Sequence, residues 1–168
     1  MKNRAYLISF FTTVFLFAIS IIVGFNIKIN SKQSSNINPN SALDIIINNL
    51  QANMNLASGF LTLGIGTIIF IFLNGSIIGS SIKESNLSNI DIFFSLAPHG
   101  ILEIPAMILS SMIGFQVIEF VFILFFSTNK TKKIMISFFK ILFFRIILVI
   151  LLTIFAGLIE WYITFKIF

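Results

Sequence analysis

Uncharged apolar runs alternate with short polar breaks along most of the chain, and the length of each run decides what it can be. Ala5 to Ile27 carries no charge and exceeds the roughly 20 residues a helix needs to cross a bilayer, so it predicts a transmembrane helix over 5–27. Lys2 and Arg4 in front of it resemble the flank of a secretory signal. The run is longer than the about 7–15 apolar residues of such a signal, and Val23-Gly24-Phe25-Asn26 offers no Ala-x-Ala pattern. The helix is therefore expected to be retained.

Residues 28–40 are polar and punctuated by Ser34-Ser35 and Pro39, the chemistry of a loop. Ser41-Ala42-Leu43-Asp44 then matches a capping box, in which hydroxyl and carboxylate satisfy the free amides of a helix start. It opens an amphipathic helix over 42–58. Leu43, Ile46, Ile47, Leu50, Met54 and Ala57 recur on one face, with Asp44, Asn48, Gln51, Asn55 and Ser58 on the other; such a helix is expected to lie at the membrane interface. Residues 59–82 form a second span, rich in small residues. Gly75 and Gly79 make a GxxxG spacing, repeated by Ser76 and Ser80, so one face admits another backbone closely. That face serves either packing within the chain or a homodimer, and the amide of Asn74 beside it needs partners.

Ile92 to Ser127 is apolar and longer than one span needs. Pro98-His99-Gly100 and Pro105 fall inside it, and proline removes a helix donor and clashes with the preceding turn, which predicts a kink or a break. A last span covers 141–163. Lys2 and Arg4 at the start and Lys130, Lys132 and Lys133 after the long run should share the cytoplasmic side. Two crossings within 92–127, as a hairpin bent near Ser110-Ser111, would place them together, whereas one crossing would separate them. Five crossings are expected, with four as the alternative and the N-terminus cytoplasmic.

Composition agrees with lipid as the solvent. Of 168 residues 57% are hydrophobic and only 10% charged, against about 25% charged in ordinary soluble domains, and the mean hydropathy is +1.03. The fold class is all-α, a single polytopic helical membrane domain. The net charge of +5 fits basic loops against anionic headgroups, not nucleic acid. With no cysteine and one histidine, no disulfide, thiol nucleophile or metal site is expected. Nucleotide and dinucleotide fingerprints are missing as well, so no cofactor and no catalytic activity are expected.

Charges inside the apolar runs carry the remaining information, because each costs roughly 2.5–3.5 kcal/mol at a helix centre on insertion scales. They are His99, Glu103, Glu119, Arg145 and Glu160. His99 and Glu103 are four apart, hence on one helical face, where they could form a proton relay, a catalytic dyad or a structural clasp. Arg145 either snorkels or pairs with Glu119. Arg145 and Glu160 lie about 22 Å apart along one helix at 1.5 Å per residue and are not partners. Glu160 is expected at the far interface, beside Trp161 and Tyr162.

These residues together carry a resemblance. Asn48-Asn49, Gly59, Leu63-Gly64-Ile65-Gly66-Thr67, Asn74-Gly75 with Gly79, Pro98-His99-Gly100-Ile101-Leu102-Glu103-Ile104-Pro105-Ala106, Gly114 and Ile159-Glu160 resemble the stage II sporulation protein M family over residues 43–163. Membership implies a non-catalytic membrane component. The endospore-forming branch, which assists peptidoglycan-degrading enzymes, usually has Pro-Gln-Asn where this chain has Pro98-His99-Gly100. Shorter members in circular bacteriocin clusters look like maturation, secretion or immunity factors. The resemblance thus implies an accessory to bacteriocin handling beside an ATP-powered transporter. A scaffold for wall-remodelling enzymes is the second expectation, and an intramembrane transporter or enzyme using His99 and Glu103 the third.

Overall fold

A computed structural model describes the backbone of residues 2–27, 41–84, 89–126 and 131–164, with side chains except at residues 2, 3, 89–99 and 164. Five α-helices account for nearly all of it: α1 Lys2–Asn26, α2 Ala42–Ala57, α3 Ile65–Glu84, α4 Asn89–Phe126 and α5 Thr131–Thr164, with a 3-10 turn at Ser58–Phe60. Four of them, α1, α3, α4 and α5, are long and apolar enough to cross a membrane. The chain is an all-α, multi-pass membrane protein.

Glycines set the closest contact. A Cβ on Gly75 would meet the Ser20 hydroxyl, one on Gly79 would meet the backbone of Ile21 and Phe25, and one on Gly24 would meet the backbone of Ser76. Backbones of α1 and α3 therefore touch, as small-xxx-small faces allow in lipid. The Gly75/Gly79 face offered above for a homodimer is occupied by α1 of the same chain. Asn74, beside it, turns its amide back to the Phe70 carbonyl at 2.7 Å.

These contacts also give direction. Ser20 lies on Gly75 and Phe25 on Gly79, so the numbers rise together and α1 runs parallel to α3. Consecutive spans can be parallel only if the chain between them returns, and α2 is that return. Its Ile46 rests on Gly157 of α5 and its Asn53 donates to Thr153 at 3.0 Å, numbers that run in opposite senses. In turn α4 is antiparallel to α1 and α3, with Ser9 against Glu119, Gly64 against Phe115 and Ile118, and Ile71 clustered with Met107. The five helices alternate in direction, α1, α3 and α5 one way and α2 and α4 the other.

Two expectations are corrected by this. The long apolar run is not a hairpin and is not interrupted at its prolines: α4 is helical for 38 residues, through Pro98, Pro105 and the Ser110-Ser111 pair. Pro105 stands on the exposed side of α4, where no helix packs against its ring. Ser110 and Ser111 are buried in the middle of the helix, and the Ser111 hydroxyl donates to the Met107 carbonyl, an internal bond that suits a helix and not a turn. The extra pass through the bundle comes from α2.

The second correction concerns the face of α2. Ser41 caps it as expected, accepting from the Asp44 amide. Its buried stripe, however, is Ile45, Asn49, Asn53 and Leu56, while Leu43, Ile47 and Met54 point outward, Met54 being 73% exposed. An amphipathic helix on a water-facing surface would show the reverse. The outward face is mixed, since Asp44, Asn48 and Gln51 are exposed on it as well, but the inward turn of Asn49 and Asn53 suits a helix near hydrocarbon, where an amide must seek its hydrogen bonds inside the protein. The 16 residues of α2 span about 24 Å at 1.5 Å per residue, so it is short for a full crossing. The turn that follows is tight: Gly64 has φ +86°, a conformation open to glycine at no steric cost.

One prediction discriminates a returning α2 from a helix lying along the surface. The chain has no cysteine, so Asn26→Cys at the end of α1 and Thr62→Cys before α3 are each unique. They are expected to react with an impermeant thiol reagent from opposite sides of sealed vesicles. Labelling of both from the same side would contradict the fold described here.

Candidate functional site

Three buried ionisable or amide side chains meet where α1, α4 and α5 come together. Met112, Gln116 and Glu119 follow one another at four- and three-residue steps, which places them on one face of α4. Arg145 of α5 faces them, 5% exposed, with Glu119 at 4%. The guanidinium holds Glu119 with two nitrogens: Nη1 lies 3.1 Å from Oε2 and Nη2 3.2 Å from Oε1. Nη1 also donates to the Met112 carbonyl at 3.0 Å and to Gln116 Oε1 at 2.9 Å. The remaining amide of Gln116 donates to the Phe138 carbonyl at 2.9 Å, back on α5. From α1, the Ser9 hydroxyl donates to Glu119 Oε1, and the Tyr6 ring lies 5.5 Å from the guanidinium carbon, within cation–π range.

This resolves the alternatives left open for Arg145. It does not snorkel; it is the centre of a network whose members come from three helices. A planar guanidinium with five donors suits such a task, because it can bind a carboxylate with two parallel bonds and still reach other acceptors. The pair is the buried kind whose separation is expensive, since losing one partner leaves an uncompensated charge and costs about 3–5 kcal/mol. The network does structural and electrostatic work: it neutralises two charges in the apolar layer and fastens α1 and α5 to α4.

A second polar group lies toward the opposite end, between α2, α4 and α5. Asn53 Nδ2 donates to Thr153 Oγ1, and Thr153 donates to the Val149 carbonyl at 2.7 Å. Above it, Thr67 donates to the Leu56 carbonyl at 2.6 Å, and a Cβ on Gly114 would collide with the same Thr67 hydroxyl. Gly114 is thus required so that α3 can bond to the end of α2 across α4. Glu103 and Glu160 sit at the far end, half-buried and close enough to feel each other's charge.

The sequence-named residues fall into these places unevenly. Glu119 and Arg145 form the first site, Glu103 and Glu160 mark the far end, and Asn74, Gly75 and Gly79 belong to the α1–α3 contact. Gly100 has open space around it, an added Cβ meeting only Ile104 at 3.9 Å. The side chains of Pro98 and His99 lie outside the described residues, and with them the expected His99–Glu103 pair. Among the described residues no group of three His, Cys, Asp or Glu is arranged to hold a metal ion. Ser9, Gln116, Asn53 and Thr153 were missed by sequence reasoning, and Asn49 entered only through the family resemblance. Their signal was present in their spacing: Ser9, Thr13 and Ser20, and Asn49 with Asn53, are polar residues at helical repeats within apolar surroundings.

Fold and site together define a multi-pass helical membrane protein whose helices are joined by buried polar and charged groups. The profile of the family described as stage II sporulation protein M matches residues 8–165, and the chain belongs to that family. An uncharacterized protein of Methanocaldococcus jannaschii is 35% identical over 170 residues, covering 92% of this chain and 93% of the relative. No solved structure matches the chain.

A double-mutant cycle tests the ion-paired site. Arg145→Met is expected to destabilise the detergent-solubilised protein by about 3–5 kcal/mol, and Arg145→Met with Glu119→Leu to recover most of that loss, because an apolar pair of similar volume removes the stranded charge. Thermal melting is the readout. Additive losses in the double variant would show that the two side chains do not interact.

Proposed function

We propose that the protein is a non-catalytic integral membrane accessory factor that engages a hydrophobic peptide, in the maturation, export or producer immunity of a bacteriocin. The observation that supports this is an outward-facing cavity of about 260 Å³ between α1 and α4. Its surface is almost wholly apolar, with Ile8, Phe115, Ile118 and Phe122 among the lining side chains and Ser9 and Glu119 of the ion-paired network behind it. Ligand clefts are predominantly apolar, and here the walls are transmembrane helices, which selects a ligand that itself resides in lipid. Because the sequence carries no nucleotide-binding motif, the energy for export would come from an ATP-powered transporter beside it.

The orientation belongs to the same proposal. Arg4, Lys132 and Lys133 stand at one end of the bundle, while Asp44, Glu84, Glu103 and Glu160 stand at the other with Lys83 as its one described cation. The basic end is the cytoplasmic one under the positive-inside tendency, which puts the start of α1 in the cytoplasm.

A second reading rests on the family itself, whose description points to sporulation: a membrane scaffold for peptidoglycan-remodelling enzymes. Co-purification of a lytic transglycosylase or amidase would favour it.

Deleting the gene in a bacteriocin producer is expected to lower secreted peptide or make the producer sensitive to its own product. Thr12→Trp, which fills the cavity, should reproduce the defect in a protein that still accumulates. Unchanged secretion and unchanged tolerance in the deletion strain would overturn the proposal.

A further inference from the structure

The seam between α2, α4 and α5 contains polar atoms that the fold leaves unsatisfied. Asn53 is 3% exposed, Ser110 1% and Asn49 8%, yet Asn53 Oδ1, Ser110 Oγ and Asn49 Nδ2 make no hydrogen bond. A buried polar group without a partner costs roughly 1–3 kcal/mol; of the three, Asn53 Oδ1 and Ser110 Oγ are acceptors that a cation would satisfy, and Asn49 Nδ2 is a donor that it would not.

The three helices bring these atoms to neighbouring levels. Leu56 of α2 lies beside Gly114 of α4, and α2 is parallel to α4, so one turn earlier on each helix Asn53 and Ser110 face the same level. Thr153 of α5 is bonded to Asn53 there. Asn49 stands one turn, about 5.4 Å, closer to the end where Asp44, Glu103 and Glu160 lie. Glu103 precedes Ser110 by two turns on the same face of α4, and Glu160 follows Thr153 by two turns on the same face of α5. Among the described residues neither carboxylate has an ion-pair or hydrogen-bond partner, and the charges of Glu103 and Glu160 act on each other. Ile46, seated on Gly157, and Met107 separate the carboxylates from the inner polar level.

We propose that this seam binds a monovalent cation, drawn in by Glu103 and Glu160 and held at the inner level by the oxygens of Asn53 and Ser110, with Asn49 beside them. Positive charge is selected because the entrance is doubly acidic and Arg145, the nearest buried cation on α5, is neutralised by Glu119 two turns beyond Thr153. A single charge is selected because the inner level offers only neutral amide and hydroxyl oxygens, with no carboxylate in direct contact to offset a second charge as divalent sites have. Polar groups of this kind within a membrane mark ion and proton pathways. The cation is an alkali ion or hydronium, two sources of one chemistry. The inference is independent of the peptide-handling reading, which concerns the α1–α4 cavity on another face.

Thermal melting of the detergent-purified full chain tests it, because a ligand that binds only the folded state raises the melting temperature in a saturable way. Sodium, potassium and choline chloride are compared at equal ionic strength, so that screening is constant, choline being too large for the seam. For an alkali ion, sodium or potassium is expected to raise the melting temperature above that in choline. Ser110→Ala, a small change that should fold, is expected to raise the half-saturating concentration by roughly tenfold, about 1.4 kcal/mol, as is Glu103→Gln with Glu160→Gln. For hydronium, the three salts give one melting temperature at each pH, and the rise comes with acidification, is lost in Glu103→Gln with Glu160→Gln, and is displaced in Ser110→Ala. Asp44→Asn, at the same end, is expected to leave either response in place. Melting independent of both salt and pH, or a response that survives in Ser110→Ala and in the double glutamine variant alike, would overturn the proposal.

Discussion

A guanidinium and a carboxylate in a hydrocarbon layer must be neutralised, and the contact between Arg145 and Glu119 is the constraint around which the bundle is arranged. Each charge alone would resist insertion; together, with Gln116, the Met112 carbonyl and Ser9 completing their hydrogen bonds, they are satisfied within the protein. Because the partners come from α1, α4 and α5, satisfying them fixes how three helices meet. Lipid tails give no hydrophobic drive for helices to associate, so polar contacts and close small-residue packing have to supply it. The Arg145 network supplies it near one end, and the glycine contacts of α1 with α3 supply it along the other pair.

The same logic accounts for α2. In water its asparagines would face outward; here Asn49 and Asn53 face α4 and α5, and the leucine, isoleucine and methionine face away. The helix they belong to reverses the chain between two parallel spans, so α3 can lie alongside α1. Thr67, bonded to the last turn of α2, and Gly114, which leaves room for that bond, lock the return in place. The fold therefore produces two polar regions on one α4–α5 frame: a closed ion pair beside α1, and a seam beside α2 whose hydrogen bonds are incomplete.

How much of this was legible in the sequence depends on the kind of signal each element left. Apolar length was enough for α1, α3, α4 and α5, and the scarcity of charges made Glu119 and Arg145 conspicuous. The cap at Ser41 was readable from chemistry local to it. The face of α2 was not, because apolar periodicity names the core side only when the surroundings are water. In lipid the informative periodicity was the weaker one of Asn49 and Asn53. The prolines of α4 pointed to a kink or a break, and α4 stays one helix: a proline's clash with the carbonyl one turn back and its lost donor weaken a helix without having to end it within a membrane. Lys2 and Arg4 at the start of the chain and the lysines after the long run suggested an additional reversal near Ser110-Ser111, whereas the chain reverses through α2.

The central claim is that Arg145 and Glu119 are ion-paired inside the bundle when the protein is in a membrane. Magic-angle-spinning NMR of the chain in lipid bilayers, with the Arg145 guanidinium nitrogens and the Glu119 carboxyl carbon isotopically labelled, reads that contact directly. A nitrogen–oxygen separation of 3.1 Å is expected to give strong dipolar dephasing between the two labels. Its absence, with the protein otherwise folded, would mean that the charges part in lipid and that the bundle is held by something else.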